Sequence, residues 1–317
     1  QAMSSSPTLH TSAKAEMKPL RNISIISGGS RGDIQPYCAI ALALERAGYS
    51  TRILTNEDHK PLVESFGLTH VHVFINNVDW LERDHAFRKS ISDGDAAAMF
   101  AALSKANQEE SEPMCKRFHE EVERHRPDLL LAGVQGEFFD WYAKVALDLP
   151  VLPVELHALS REERGSFGLP TLPFGLHNVL FSLVVTKAIM KSWRSLDDAL
   201  AKLTGGARVL SMLNLADLEE IFFAPKFPVI VCKPESYKPI LNPNAHGNYK
   251  FVGAAIVQRK YEVKHSSSFG DDNVFNVLEE FLSRDEKRKP VYMGWGSMMC
   301  KSPEHMVLMA TDALRES

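Results

Sequence analysis

The feature that most constrains the fold is an alternation of short apolar strand patterns with helical patterns, which begins at Arg21. The first strand is predicted at residues 22–27, and a helix with one apolar side follows at residues 34–47. Two further strands are predicted at residues 51–55 and 71–75. Strands that alternate with helices are typical of a parallel sheet covered by helices on both faces. We therefore predict an α/β fold built on a Rossmann-like, doubly wound parallel sheet.

The alternation continues along the chain with the same character. A long helix is predicted at residues 96–125, in which Pro113 marks a break or a new first turn. The predicted strands are short and almost wholly apolar, as expected where helices cover both faces of a sheet. The remaining predicted strands are residues 128–132, 151–154, 229–232 and 249–252, and the remaining helices are residues 61–66, 138–147 and 176–203.

Composition shifts divide the chain into segments. Residues 1–20 are predicted to be a disordered leader, residues 21–257 a first domain, and the polar residues 258–272 a linker. Residues 273–317 then carry a helix, a strand and a second helix, which together resemble the opening of another α/β domain. Because one such unit cannot cover its own faces, we predict a second, incomplete Rossmann-like domain.

Charge and cysteine usage exclude several classes of function. The net charge is −4, from 36 basic and 40 acidic residues, so nothing indicates binding to nucleic acid. The four cysteines are far apart, which favours free thiols in a reducing, cytoplasmic compartment. The histidines lack the spacing of a metal site. No apolar stretch is long enough to span a membrane, so we expect a soluble or peripheral protein.

The loop at residues 28–33 lies between the first predicted strand and the first predicted helix. Ligands of parallel sheets bind outside the carboxyl ends of the strands, and a helix N-terminus offers free N–H groups there. Glycines let the backbone approach a ligand closely. The spacing is not that of a dinucleotide fingerprint. By itself the loop therefore predicts a phosphate cradle, a helix cap or an acid–base site.

Asp33 and Arg31 are the charged residues of this loop. Asp33 stands where the N-cap of the helix is expected, and it is also a candidate general base that takes a proton from a hydroxyl. The helix dipole favours its charged form. Arg31 is a candidate for holding an anion or orienting Asp33; its alternative is a surface ion pair.

Two motifs resemble those of a known family. Residues 28–36, GGSRGDIQP, are similar to the opening of the sterol glucosyltransferases and of related transferases that act on antibiotic aglycones. Residues 289–298, KPVYMGWGSM, resemble the strand that opens the donor domain of that family, with Trp295 in place of the usual phenylalanine. Residues 251–253, which come before the predicted linker, also resemble the sequence of that family. The two motifs stand in the order that the family requires.

The resemblance implies a GT-B glycosyltransferase. Such enzymes move a sugar, usually glucose from UDP-glucose, to a hydroxyl group with inversion, without a metal, another cofactor or a covalent intermediate. The acceptor would be a sterol or another lipophilic alcohol. Asp33 is then the expected base. The residues expected to contact the donor are Gly29, Ser30, Arg31 and Gly32 of the first loop and Gly296 and Ser297 of the second.

Other polar residues follow later strands at the same predicted edge. Gln135 and Glu137 follow one strand, and Glu155 and His157 follow another, so we expect them to position the acceptor hydroxyl. The alternatives are a helix-dipole charge for Glu137 and an ordinary loop histidine for His157. Phe174, with the apolar run 179–185, would line an acceptor pocket or form part of the core.

The main departure from the family is an absence. The family's later His-Xaa-Gly-Gly motif and its acidic–amide pair are not in the sequence. We therefore expect this chain alone to be inactive and to need a C-terminal donor domain as its partner. Two alternatives stay open: a non-catalytic module that binds a lipophilic ligand, and a natural-product aglycone transferase. Peripheral contact with a membrane is a further expectation for a lipid acceptor.

Overall fold

The fold is organised by one seven-stranded parallel sheet, as the sequence predicts. The computed structural model describes residues 20–76, 79–80, 83–93, 95–133, 135–156, 176–206, 208–210, 226–240, 247–258, 272–284 and 302–316. The strands are β1 Asn22–Ile26, β2 Ser50–Asn56, β3 Thr69–Phe74, β4 Leu129–Ala132, β5 Val151–Glu155, β6 Val229–Val231 and β7 Tyr249–Phe251. Their order across the sheet is β3-β2-β1-β4-β5-β6-β7, and every neighbouring pair is parallel. The predicted α/β class is confirmed.

Helices connect most of the strands. They are α1 Arg31–Arg46, α2 Lys60–Ser65, α3 His85–Asp93, α4 Ala96–His125, α5 Glu137–Ala146, α6 Leu176–Leu203, α7 Asp272–Ser283 and α8 Pro303–Glu316. Short 3₁₀ helices occupy Glu57–His59 and Glu235–Ile240. The α3 helix was not predicted from the sequence. The predicted strand at residues 290–295 and most of the predicted linker lie outside the described residues.

The strand order reverses direction at β1. From β1 the chain adds β2 and β3 on one side of the sheet, and then β4 to β7 on the other. Ile26 at the end of β1 pairs with Leu54 of β2 and with Ala132 of β4. The loops that leave β1 and β4 therefore diverge at the same point. In open parallel sheets this switch point is where the ligand crevice forms.

Two apolar clusters, one on each face of the sheet, hold the helices in place. Successive side chains of β1 point to opposite faces of the sheet. Ile25 packs in the cluster beneath α1 and α2, and Ile26 packs in the cluster beneath α4, α5 and α6. The largest buried side chains include Tyr37 on one face and Phe118 on the other. Burial of a large apolar side chain stabilises the fold by about 1.5–3 kcal/mol. These clusters fix the positions of the loops at the switch point.

Pro113 does not break its helix. The α4 helix runs without interruption through Pro113 for 30 residues. A proline inside a helix removes one backbone hydrogen bond. The residues that follow it, Met114, Cys115 and Phe118, are buried against the sheet. Tertiary packing therefore offsets the local cost, which the sequence pattern alone does not reveal.

Candidate active site at the strand switch point

The loop after β1 is tied to both neighbouring strands. Ser27 donates its backbone N–H to Leu54 O at 3.0 Å, and Gly133 donates its N–H to Ile26 O at 2.8 Å. These bonds extend the sheet past the end of β1 on each side. As a result, the residues that follow β1, β2 and β4 meet at one edge of the sheet.

Ser30, and not Asp33, is the N-cap of α1. Asp33 is the third helical residue, and its Oδ2 atom accepts hydrogen bonds from the Ser30 N–H at 2.7 Å and the Ser30 hydroxyl at 2.9 Å. The expectation that Asp33 is itself the cap is therefore wrong. The pairing forms a capping box, in which the acidic residue reaches back to the cap. Both bonds use Oδ2, so the half-buried carboxylate is fixed in orientation, and no described residue donates a hydrogen bond to Oδ1.

Gly29 leaves no room for a side chain. Its φ angle is 120°, and a Cβ atom at this position would lie 2.5 Å from Asp33 Oδ2. A Cβ at Gly32 would meet nothing closer than the Ser30 hydroxyl at 3.6 Å. Gly29 is therefore the glycine that the loop conformation requires, because it lets the backbone pass close to the Asp33 carboxylate.

Asn56 and His59 hold the loop from the β2 side. The Gly29 N–H donates to Asn56 Oδ1 at 3.0 Å, and His59 Nε2 donates to Gly29 O at 2.9 Å. Asn56 also donates through Nδ2 to Ile75 O at 2.9 Å. Both polar side chains are buried. The sequence analysis did not identify these two residues, although their position directly after a strand at the same edge was an available signal.

Arg31 lies on the exposed first turn of α1. Its Nε donates to Gln35 Oε1 at 3.3 Å, one helical turn further on. The side chain is exposed to solvent. Arg31 is therefore placed at the mouth of the loop, where an anion would have access to it.

The loop after β4 packs directly against the loop after β1. A Cβ atom on Gly28 would lie 2.6 Å from Gln135 Oε1, and one on Gly136 would lie 2.9 Å from Ile26 O. Gln135 has a φ angle of 62°, which is uncommon for a residue with a side chain. The sharp turn brings the Gln135 amide against Gly28 and places Glu137 at the start of α5.

Three carboxyl groups next to this turn are shifted toward their neutral forms. Burial raises the pKa of Glu137 to about 7, although backbone N–H groups at the start of α5 oppose the rise. Burial and the Glu137 charge raise the pKa of Glu155, at the end of β5, to about 7. Burial likewise raises the pKa of Asp140 to about 7, against the effect of Lys144. We call Glu137, Asp140 and Glu155 the carboxyl cluster.

Asp140 is the member of the carboxyl cluster that the sequence analysis missed. It lies three residues after Glu137 on α5, so the two side chains share one side of the helix. Its Oδ1 atom is buried and has no hydrogen-bond partner among the described residues. That helical spacing was a signal for the pair, whereas the approach of Glu155 depends on the pairing of β5 with its neighbours.

Four residues named from the sequence remain without a described position. His157 and Phe174 lie between β5 and α6, and Gly296 and Ser297 lie between α7 and α8, all outside the described residues. Their proposed contacts stay predictions. The switch point thus brings together Gly29, Ser30, Asp33, Gln135 and Glu137 from the candidate set.

A cavity of about 680 Å³ lies beside the end of β3, and its described lining contains no residue of the loop after β1. Asn56 links the loop to the wall of this cavity. Its side chain donates to Ile75 O, and both Ile75 and the next residue in the chain, Glu57, line the cavity. Trp80 also lines it and packs on Phe87 with ring centroids 4.5 Å apart. Most of the other lining residues are charged or polar: His72, Asn76, Asp79, Arg83, Asp84, His85, Lys105, Glu109, Glu110 and Arg117.

The described residues also bear on metal binding and on membranes. No group of three or more histidine, cysteine, aspartate or glutamate side chains there is arranged to hold a metal ion. No helix in the described part of the chain is both long and apolar enough to cross a membrane.

Comparison with known families gives a domain match at the N-terminal side of the described fold. Residues 23–113 match the glycosyltransferase family 28 N-terminal domain. This span begins in β1 and contains the loop, Asp33, Asn56 and His59. The match therefore covers the β1–β3 side of the switch point.

Comparison with curated proteins extends the likeness over most of the chain. A sterol 3-beta-glucosyltransferase of Vanderwaltozyma polyspora is 23% identical over 329 residues, which cover 96% of this chain and 24% of that protein. The UDP-sugar-dependent glycosyltransferase 52 of Dictyostelium discoideum is 22% identical over 310 residues, covering 95% of this chain and 17% of that protein. The chain thus spans a quarter or less of the length of these relatives.

Among solved structures, the calicheamicin glycosyltransferase CalG4 is similar with a TM-score of 0.45 and 15% sequence identity. The match covers 75% of this chain and 53% of that one. The domain match and the curated relatives confirm the resemblance to GT-B glycosyltransferases that the two sequence motifs indicated.

Proposed function

We propose, from the resemblance of this chain to the GT-B glycosyltransferases, that it supplies the acceptor side of an enzyme that moves a sugar from a UDP-sugar to a hydroxyl group. The observation that carries the proposal is the geometry of Asp33, a carboxylate fixed across a loop at the switch point. The family match over residues 23–113 and the names of the curated relatives support the reaction class.

The proposed chemistry is a single displacement. The acceptor oxygen attacks the anomeric carbon of the sugar while the bond from that carbon to the diphosphate oxygen breaks and UDP leaves. Asp33 takes the hydroxyl proton through Oδ1, because Oδ2 is occupied by Ser30. Reaction from the opposite side of the carbon inverts its configuration.

The start of α1 is the proposed contact for the donor diphosphate on this side of the cleft. Asn56 and His59 fix the position of the Gly29 backbone just before the helix, and Arg31 is exposed on the first turn. The partial positive charge of a helix N-terminus and a guanidinium both stabilise an anion. Gly296 and Ser297 are proposed to complete this contact from the second domain.

The carboxyl cluster and Gln135 are the proposed contacts for the acceptor. A glutamic acid with a pKa of about 7 is substantially protonated at neutral pH, so Glu137 and Glu155 are able to donate as well as accept hydrogen bonds. Such groups recognise a hydroxyl without repelling the charge of Asp33. His157 and Phe174 keep their proposed acceptor roles.

The nature of the acceptor has two candidates. A sterol or another lipophilic alcohol is the first, because a sterol 3-beta-glucosyltransferase is among the relatives. The 680 Å³ cavity does not fit such a ligand, since most of the side chains that line it are charged. It favours a second candidate, a hydrophilic acceptor whose hydroxyls are bound by carboxylates and whose apolar face packs on Trp80.

The variant Asp33→Asn tests the proposed base in the full-length protein. Asparagine still accepts the Ser30 hydrogen bonds through its oxygen but does not take a proton, so kcat is expected to fall at least about 100-fold while UDP-sugar binding changes little. A matched control is Asp128→Asn. Asp128 Oδ2 also accepts two hydrogen bonds, from the Arg21 and Asn22 N–H groups at 2.9 Å, but it lies at the opposite edge of the sheet.

Transfer by Asp33→Asn at near wild-type rate would show that Asp33 is not the base. A screen of UDP-glucose with ergosterol, a hydrophilic glycoside and a polyketide aglycone separates the acceptor classes. Binding of an acceptor by the wild-type protein without transfer from any UDP-sugar would instead support a non-catalytic binding module.

A further inference from the structure

A second cavity, of about 390 Å³, lies at the edge of the sheet opposite to Asp33. It is formed where β1 and β2 begin and where α4 ends. Its described lining residues are Asn22, Ile23, Ser24, Ser50, Arg52, Arg124, His125 and Arg126. Nothing in the proposed sugar transfer uses these residues, since the carboxyl ends of the same strands carry the candidate active site.

The lining of this cavity is basic, although the protein as a whole is acidic. Three of its described residues are arginines, and none of them is an aspartate or a glutamate. The net charge of the chain is −4. A local excess of guanidinium groups in an acidic protein attracts anions to one place on the surface. We name this group of eight residues the basic cavity.

The dipole of α4 accounts for only part of this arrangement. Arg124 and His125 lie in the last turn of α4, where positive side chains stabilise the helix C-terminus. Arg52 reaches the same cavity from β2, a different element, and Arg126 follows the helix. The end of a helix does not explain why an arginine from a separate strand lines the same cavity.

Arg52 is held in a fixed orientation by a buried partner. Its Nε donates to Glu121 Oε1 at 2.5 Å, and the Glu121 side chain is only 7% exposed. A guanidinium bound through Nε keeps its two terminal nitrogens as donors. Arg52 thus has one side anchored to α4, while part of the side chain remains open to the cavity.

The other wall supplies uncharged donors on a rigid backbone. Ser50, the first residue of β2, and Ser24, in the middle of β1, both line the cavity. The neighbouring chain is fixed because Asp128 Oδ2 accepts the N–H groups of both Arg21 and Asn22 at 2.9 Å. Guanidinium forks and hydroxyls around one space match the oxygens of a tetrahedral phosphate group.

We propose that the basic cavity binds the phosphate group of a ligand at a site separate from the sugar-transfer site. Arg124 and Arg126 contribute the charge, Arg52 contributes an oriented fork, and Ser24 and Ser50 contribute hydroxyl donors. The same chemistry fits a soluble phosphate monoester and the headgroup of an anionic phospholipid. The two sources differ in whether the phosphate is presented at a membrane surface.

The test compares three probes on the 317-residue chain. Inorganic phosphate and glycerol 3-phosphate are titrated by calorimetry, and flotation is measured with phosphatidylcholine vesicles with and without phosphatidic acid. The double variant Arg124→Ser with Arg126→Ser is expected to weaken binding at least about tenfold, because charge-assisted hydrogen bonds are lost. Arg52 is left unchanged, since its removal would leave Glu121 as a buried unpaired charge.

The matched control is Lys191→Ser with Arg194→Ser, which removes two positive charges from exposed positions of α6. If the wild type and the control bind the soluble phosphates and the cavity variant does not, the ligand is a soluble phosphate. Binding of the phosphatidic acid vesicles alone, lost in the same variant, identifies a lipid headgroup. Absence of binding to all three probes, or an equal loss in the control, overturns the proposal.

Discussion

At the scale of single residues, the loop after β1 is defined by a few contacts that leave little freedom. Asp33 closes the loop through Ser30, and Asn56 and His59 hold the backbone of Gly29 from another strand. Asp33 is oriented by Ser30, three residues before it, and Gly29 by side chains 27 and 30 residues further along the chain. A base held in this way is ready for proton transfer without a large rearrangement.

The variant Gly29→Ala is expected to destabilise the protein by about 1–3 kcal/mol, because its φ angle of 120° disfavours any side chain and a Cβ would meet Asp33 Oδ2. The free energy of unfolding in urea measures the loss. Gly32→Ala is the matched control in the same loop, where the nearest atom would be 3.6 Å away, and it should change stability by less than about 0.5 kcal/mol. Equal effects of the two substitutions would contradict the packing described for Gly29.

At the scale of elements, the sequence predicted most strands and helices to within a few residues. Short apolar runs identified β1 to β7, because strands buried on both faces carry few polar residues. The assignment of Asp33 as the cap failed because Ser30 and Asp33 both suit a helix start, and only the hydrogen bonds decide between them. The α3 helix was missed because the polar stretch before α4 gave no apolar pattern strong enough to assign.

The candidate site was less predictable than the elements. Gly29, Asp33 and Gln135 were found because they follow strands or belong to a motif. Their position after a strand placed Asn56 and His59 at the right edge of the sheet, but it does not reveal their contacts with Gly29, which join residues 27 and 30 positions apart. The strand order, which places the loops after β1 and β4 side by side, depends on the whole sheet.

One hydrogen bond between elements tests how α1 is anchored. The buried Tyr37 hydroxyl donates to Val154 O at 2.9 Å and so joins α1 to β5. Tyr37→Phe is expected to cost about 1 kcal/mol of the free energy of unfolding, since the ring remains and the buried hydrogen bond to Val154 O is lost. Chemical denaturation of the purified variant measures this difference.

The contrasting substitution is Gly133→Ala, since a Cβ there would lie 2.3 Å from both Cζ and the hydroxyl oxygen of Tyr37. We expect a loss of about 3 kcal/mol. The Tyr37→Phe background should not relieve it, because Cζ is retained. Full rescue by the double variant would show that the hydroxyl alone sets the packing of α1 on β4.

At the scale of the whole molecule, the apolar side chains of the sheet are buried, whereas many of those on two of the described helices are exposed. The sheet has an apolar cluster on each face. In contrast, the helices α7 and α8 expose large apolar side chains: Val277, Leu278, Phe281, Leu282, Val307, Leu308, Met309 and Leu314. An amphipathic helix in a soluble domain buries its apolar side against a partner surface. We therefore expect the stability of the described fold to reside in the sheet and its helices, and its pH dependence to come from groups buried there.

The carboxyl cluster makes a prediction for the stability of the whole fold. Burial raises the pKa of Glu137 and Glu155 from 4.5 to about 7 in the folded protein. Between these two values the unfolded chain releases protons that the folded state retains, so the free energy of unfolding falls as the pH rises from 4.5 to 7. The contribution of the two groups is fully present below pH 4.5 and is lost above about pH 7.

Glu137→Gln with Glu155→Gln removes this dependence, because glutamine does not ionise. Compared with the wild type, the double variant should have similar stability near pH 4.5 and be more stable at pH 8 by several kcal/mol, on the order of 3 kcal/mol for each group. Urea unfolding at several pH values measures the difference. Glu112→Gln with Glu123→Gln, two exposed positions on α4, is the control and should follow the wild-type pH profile. A double variant of the carboxyl cluster that is as stable as the wild type at both ends of the range would show that these carboxyls titrate near their ordinary values and are not available to donate hydrogen bonds at neutral pH.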